Sequence, residues 1–265
     1  MKAKHLLLAV SMFFLAHNEL SAQFGFSHEI GIITGPVAFQ SDFGLRNDFD
    51  TNRGNIGFGV GLVHYLNFSY RADCNCYSRD TYFNDHFKVR NEIDYHITNL
   101  NHFGEESEDN DFGGLLLRSH KGKATVLEIG TQLEYFPMSI RDFAAGAYRV
   151  APYFSLGVHF VSFDPEATSD LGPIGSPATT FAPFLQGDGR YGGIDDSAGS
   201  TWAITWSTGI RYKLGILSDL VLDARWHYYT SNWVDGLNPD ERAYPPNRAN
   251  DWIFWLNVGY IYYLD

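Results

Sequence analysis

Positive charge, cysteine and long apolar runs are all scarce in this 265-residue chain. Nineteen Lys and Arg stand against 31 Asp and Glu, a formal net charge of −12. That balance excludes nucleic acid as a partner, because binding it requires basic surface. The only two cysteines, Cys74 and Cys76, are separated by a single residue and cannot staple distant parts of the fold. Stability must therefore come from packing and hydrogen bonding. No stretch is apolar over the ~20 residues that a helical membrane span requires, and mean hydropathy is only −0.21. If the chain enters a bilayer, strands must carry it. Nothing near the cysteines completes a zinc motif, and no metal or cofactor is expected.

Aromatic residues (16%) and 26 glycines are what the chain has in plenty. At the N-terminus, Lys2 and Lys4 precede the short apolar run Leu6–Ala16, and Ser21-Ala22 offers small residues for cleavage. Residues 1–22 are thus expected to be an export signal and 23–265 one β domain. The final stretch, Asp251–Asp265, alternates cleanly. Trp252, Phe254, Leu256, Val258, Tyr260, Tyr262 and Leu264 share one face, and Ile253, Trp255, Asn257, Gly259, Ile261 and Tyr263 the other. A secreted sandwich would bury the greasy face against a second sheet. A membrane barrel would give it to lipid.

The same period of two predicts strands at Ser27–Thr34 (stopped by Pro36), Ile56–Leu66, Phe87–Leu100, Ala124–Phe136, Val150–Phe163, Trp202–Leu214 and Leu220–Thr230. With the last stretch they make eight, most near the ~9–11 residues that cross a bilayer at a tilt. An even count places both ends on one side. The expected extracellular loops are 35–55, 101–123, 164–201 and 231–251; the periplasmic connections are 68–86, 137–149 and 215–219. In Ile56–Leu66, Gly57, Gly59 and Gly61 form a stripe that would leave room for long side chains from other strands.

The polar faces carry both signs: Glu29, Arg90, Glu92, Asp94, Glu128, Glu134, Arg211, Lys213, Asp223 and Arg225. Buried charges are costly unless paired, so this mixture predicts a closed lumen filled by an ion-pair network. The reading is an all-β, eight-stranded antiparallel up-and-down transmembrane barrel. His96, His159 and His227 are predicted to point into the same lumen. They could join the network, or form a hydrolase-like pair: His159 with Ser155 or Ser162, or His227 with Asp223.

Three other stretches stand out. Cys74-Asn75-Cys76 could be a metal pair with His86, a redox switch, a local or intermolecular bridge, or two thiols. Glu105–Asp111 could bind calcium or bridge lipopolysaccharide through cations, or simply be a solvated acidic loop, since it lacks an EF-hand spacing. Gly187–Gly193 reads as a loop, not a phosphate cradle, because no helix pattern follows it.

His28-Glu29-Ile30-Gly31, the segment Glu128–Pro137, Ala151–Val158 and Phe163-Asp164-Pro165 resemble a family of Bacteroidota outer-membrane barrels. That family includes PorG, a barrel associated with the type IX secretion system and gliding machinery. The resemblance implies a non-enzymatic anchor or accessory subunit of an envelope assembly in the cell outer membrane. Its partners would be lipid, lipopolysaccharide and periplasmic or membrane proteins of a secretion complex. The 68–86 connection departs from the family pattern, so Cys74, Cys76, Tyr77, Arg79 and Tyr82 are the candidate docking residues. Gly259, Tyr260, Tyr262 and Leu264 are similar to the C-terminal signal read by the barrel-assembly machinery. The competing readings are a small-solute channel or transport accessory, and a lumen-rim hydrolase or acyltransferase.

Overall fold

A computed structural model describes residues 26–45, 48–68, 81–185, 192–240 and 249–264. Cys74, Cys76, Tyr77 and Arg79 lie outside the described residues. Eight strands close on themselves in sequence order: β1 Ser27–Gln40, β2 Ile56–Asn67, β3 Phe87–Asn101, β4 His120–Tyr135, β5 Val150–Ser169, β6 Gly199–Lys213, β7 Ser218–Tyr229 and β8 Trp252–Tyr263. Every neighbouring pair is antiparallel. The closing pair sets Ile30 opposite Tyr262 and Ile33 opposite Gly259, so β1 and β8 leave no free sheet edge. This is the up-and-down barrel that the strand count implied.

Burial is inverted relative to a soluble protein. Ile32, Leu62, Leu156, Val158 and Trp202 point outward and are at least half exposed, while Glu29, Asp94, Glu128, Arg211 and Arg225 are fully buried. A sandwich would do the reverse. An apolar exterior around a charged interior is stable only where the surrounding solvent is itself apolar. The alternation decides it, because one strand face meets lipid and the next meets the lumen.

Several boundaries differ from the sequence reading. β1 does not stop before Pro36 but runs on to Gln40, so the first outer loop begins near residue 41, not 35. Pro36 faces outward and pairs with Phe58, while the ladder to β8 skips Gly35 and Pro36. The Gly35 carbonyl instead accepts the Trp255 indole N–H at 3.2 Å, so the missing proline donor interrupts one ladder locally. β4 begins at His120 and β5 extends to Ser169, shortening loops 101–123 and 164–201; their outer ends pair, His120 opposite Ser169, and β3 continues the sheet on the other side of β4, Asn101 opposite Lys121.

Short helices occupy the connections: α1 Phe49–Asn52, α2 Tyr82–His86, α3 Glu105–Glu108, α4 Phe112–Ser119 and α5 Ile140–Ala144. The acidic stretch expected as a solvated loop is therefore partly helical. Asp111 caps α4 by accepting from the Gly114 N–H at 2.7 Å, and Arg118 donates to the Asp109 carbonyl at 2.7 Å.

Candidate functional site: the barrel interior

The interior is layered along the barrel axis. Nearest the end that holds the termini, Glu29 on β1 accepts from Lys88 at 2.5 Å and from Arg211 at 2.6 Å. Arg211 also reaches Glu134 at 3.3 Å and Asp219 at 3.8 Å, and its guanidinium stacks over the Tyr65 ring at 4.1 Å. Lys213 lies 3.3 Å from Asp219. One layer further in, Arg90 joins Glu134 at 2.8 Å, Glu92 at 3.3 Å and Asp223 at 3.3 Å. Arg225 then ties Asp223 at 2.6 Å, Glu92 at 2.8 Å and Asp94 at 3.4 Å. Gln132 fills a remaining gap, bonding both Glu92 and Arg90.

All ten sequence-named charged residues therefore point into one space, and nine of them are joined by Lys or Arg contacts. The tenth, Glu128, belongs to a third layer. Its carboxylate lies 2.8 Å from His159 Nδ1, 2.7 Å from His227 Nδ1, 2.9 Å from the Tyr229 hydroxyl and 3.9 Å from His96 Nε2. His159 also reaches Glu92 through Nε2 at 2.8 Å. Trp255, fully buried, packs edge-on against His96 with ring centroids 4.6 Å apart and lies 5.1 Å from the Arg225 guanidinium. The glycine stripe on β2 gives these rings their space: a Cβ at Gly59 would sit 2.7 Å from His96 Nδ1 and 2.8 Å from the Trp255 ring.

Beyond this layer the lumen turns apolar. Val37, Phe39, Leu100, Val126, Val161, Ala203 and Ile253 fill it, and Phe43, Leu117, Phe184, Val234 and Leu237 from the outer loops cover its mouth.

Besides Asp42, Asp235 and Asp251, buried toward the outer end, the described residues place seven buried carboxylates in the charged layers (Glu29, Glu92, Asp94, Glu128, Glu134, Asp219 and Asp223). Five Lys and Arg face them: Lys88, Arg90, Arg211, Lys213 and Arg225. Negative charge exceeds that supplied by lysine and arginine by two, and the three histidines gather where the excess lies. Lys88 and Asp219 were not among the residues named from the sequence. Their parity was the signal, since Lys88 shares a face with Arg90, and Asp219 with Asp223.

The hydrolase-like pairs are not formed. Ser155 bonds Gln132 at 2.7 Å and Ser207 at 2.6 Å, not His159. Ser162 points outward, seven residues from Ser155 along the strand and therefore on the opposite face. His227 turns to Glu128, while Asp223 is taken by Arg90 and Arg225. A nucleophile–base–acid chain cannot be traced through these contacts.

At the end bearing the termini, Tyr82 and Phe83 of α2 are exposed at 62% and 46%. They belong to an aromatic group in which Phe26, Phe68, Phe83, Phe87 and Tyr135 follow one another at centroid distances of 4.8–5.4 Å. The Asp85 carboxylate links α2 to the β4–β5 connection, accepting from the Ser139 hydroxyl at 3.0 Å and the Arg141 N–H at 3.1 Å. Gly259 faces the lumen on β8, and Tyr260, Tyr262 and Leu264 face outward.

No family model matches this chain, and no curated protein matches it. Among solved structures, Neisserial surface protein A is similar at 14% identity and TM-score 0.45, covering 89% of this chain and 96% of that one. The outer membrane protein OprG of Pseudomonas aeruginosa is similar at 16% and 0.43, covering 89% and 97%. A major outer membrane protein of Thermus thermophilus is similar at 12% and 0.44, covering 89% and 99%. At such identities and scores none of them carries an activity over to this chain.

Proposed function

We propose that this protein is an integral outer-membrane barrel serving as a non-enzymatic anchor or accessory subunit of an envelope assembly. In this reading it is delivered after removal of residues 1–22 and inserted by the barrel-assembly machinery. The observation that carries it is the lumen, where Arg90, Arg211 and Arg225 each bridge carboxylates from different strands and fill the cross-section. In such a packed, ion-paired core a solute has no route that does not leave buried charges unpaired, at a cost of about 3–5 kcal/mol for each partner lost. Interaction is then left to the two ends and the lipid-facing belt. The resemblance seen in the sequence points to a secretion or gliding complex of the type IX kind, with the Tyr82 end as the docking side.

Two measurements test the reading. The purified barrel in planar bilayers is expected to show no conductance steps; regular steps would favour a channel. A photo-crosslinking residue placed at Tyr82 in intact cells is expected to capture one defined envelope protein. Capture of lipid alone would reduce the Tyr82–Phe83 aromatics to an interfacial belt. Insertion itself is tested at β8, where Tyr260→Asp and Tyr262→Asp are expected to abolish surface levels. Normal surface levels of both would remove the assembly-signal role.

A further inference from the structure

We propose that His96, Glu128 and His227 form a buried site for one divalent transition-metal ion of the zinc class. Among the described residues, Glu128 is the carboxylate of the charged layers that no lysine or arginine meets, although it is fully buried. The side chains around it are instead the metal-ligating kind. His96, only 2% exposed, has both ring nitrogens without a hydrogen-bond partner, and His227 has Nε2 without one. A buried polar group left unsatisfied costs roughly 1–3 kcal/mol, so His96, with neither ring nitrogen partnered, calls for a missing partner that an ion on its Nε2 would supply.

The spacing fits an ion. One ligand atom from each of the three residues lies within 4.8 Å of the others. A tetrahedral ion with bonds near 2.0–2.2 Å holds its ligand atoms about 3.3 Å apart. His227 Nδ1 lies 2.7 Å from Glu128 Oε2 and His96 Nε2 3.9 Å from Oε1, so side-chain rotations that turn one carboxylate oxygen toward both nitrogens would seat the ion. Two imidazoles and one carboxylate suit zinc, cobalt, nickel or copper; calcium and magnesium want more oxygen ligands and are not served here.

A supporting shell is already in place. The Tyr229 hydroxyl donates to Glu128 at 2.9 Å, and His159 holds the second oxygen at 2.8 Å while its other nitrogen contacts Glu92. Such outer contacts fix a ligand's orientation before the ion arrives. Trp255 does the same for the His96 ring. The neighbouring group of Glu92, Asp94 and His159 is the poorer candidate, because the Arg225 guanidinium already occupies its two carboxylates. The ion would also supply the positive charge that the lumen lacks, and it would tie β3 and β4 to β7 across the barrel.

Because the site is enclosed, the ion must enter as the barrel closes. The test is therefore refolding of the 23–265 chain from urea into detergent with Zn²⁺, with Ca²⁺, or with chelator. Folded barrel is identified by heat-modifiable gel mobility, and bound metal is measured after size exclusion. Wild type is expected to retain about one zinc per folded barrel and no calcium, and His96→Gln and His227→Gln about a tenth of that or less. Refolding with Co²⁺ is expected to give the visible absorption of a tetrahedral nitrogen–oxygen site. Folded wild type with less than about a tenth of an equivalent of zinc would overturn the proposal, whatever the variants do. Undiminished zinc in a folded His96→Gln barrel would overturn it equally.

Discussion

Near the end of the barrel that holds the termini, Arg211 fills the lumen with a guanidinium tied to Glu29, Glu134 and Asp219. Near the other end Phe39, Leu100 and Ile253 fill the same cylinder with hydrocarbon. Both regions lie behind one continuous lipid-facing belt, so the membrane does not explain the difference. The charged half depends on complete pairing, since each guanidinium serves three carboxylates and losing one leaves all three short of a partner. The apolar half depends only on volume, and its contacts are individually small and replaceable. The His96–Glu128–His227 layer marks the boundary, where lysine and arginine run out before negative charge does.

The largest effect should come from breaking the charged half. Arg225→Met removes one cation and leaves Glu92, Asp94 and Asp223 short of partners, with an expected loss of about 3–5 kcal/mol of folding stability. The urea midpoint for folding in detergent measures it. A loss under ~1 kcal/mol would mean that the pairs are replaceable and the contrast between the halves is weaker than drawn. Leu100→Ala, on the apolar side, should cost about 3 kcal/mol through its cavity, with no dependence on salt. The apolar side should also tolerate Ile253→Leu at below ~1.5 kcal/mol, whereas Arg90→Lys, equally conservative by charge, should cost more because one ammonium cannot reproduce the fork.

The smallest effect is a pH dependence of the loop cap. His102, in the connection after β3, packs against Phe43 and Phe184 with centroids 4.9 and 5.6 Å away. Desolvation first, and the neighbouring His120 second, hold its pKa below the ordinary 6.5. A depressed folded value means the contribution is fully present above about pH 6.5 and is lost as pH falls below it. Acidification from pH 7 to 5 should therefore lower amide protection factors, taken relative to the intrinsic rate at each pH, in the outer loops before the strands respond. Protection unchanged over that range in the native protein, or the same loss persisting in His102→Phe, would show that His102 is not its source.

The strands were legible because a period of two survives along nearly every one of them. β3 shows it well: Lys88, Arg90, Glu92, Asp94, His96 and Thr98 face inward, and Val89, Asn91, Ile93, Tyr95 and Ile97 outward. Pro36 misled because a residue's single N–H points to one neighbouring strand only, so a proline removes one ladder bond, and here the β8 ladder alone is interrupted. The helix from Phe112 to Ser119 was hidden behind acidic residues whose composition suggested a loop, although Asp111 was its cap. Ser155 and Ser162 were drawn beside His159 from nearness in sequence. Parity separates Ser162 from that face, and Gln132 and Ser207 take Ser155.

Sequence alone determined which residues would share a face, since that requires only the local geometry of an extended chain. It also determined that both charge signs would meet inside. Only the tertiary structure decided the pairings. Arg225 meets Glu92 across 133 residues of chain, and three histidines from β3, β5 and β7 converge on Glu128. Register and closure bring such positions together, and both are properties of eight strands at once. No single strand carries them, so the contents of the lumen could be read residue by residue while its wiring could not.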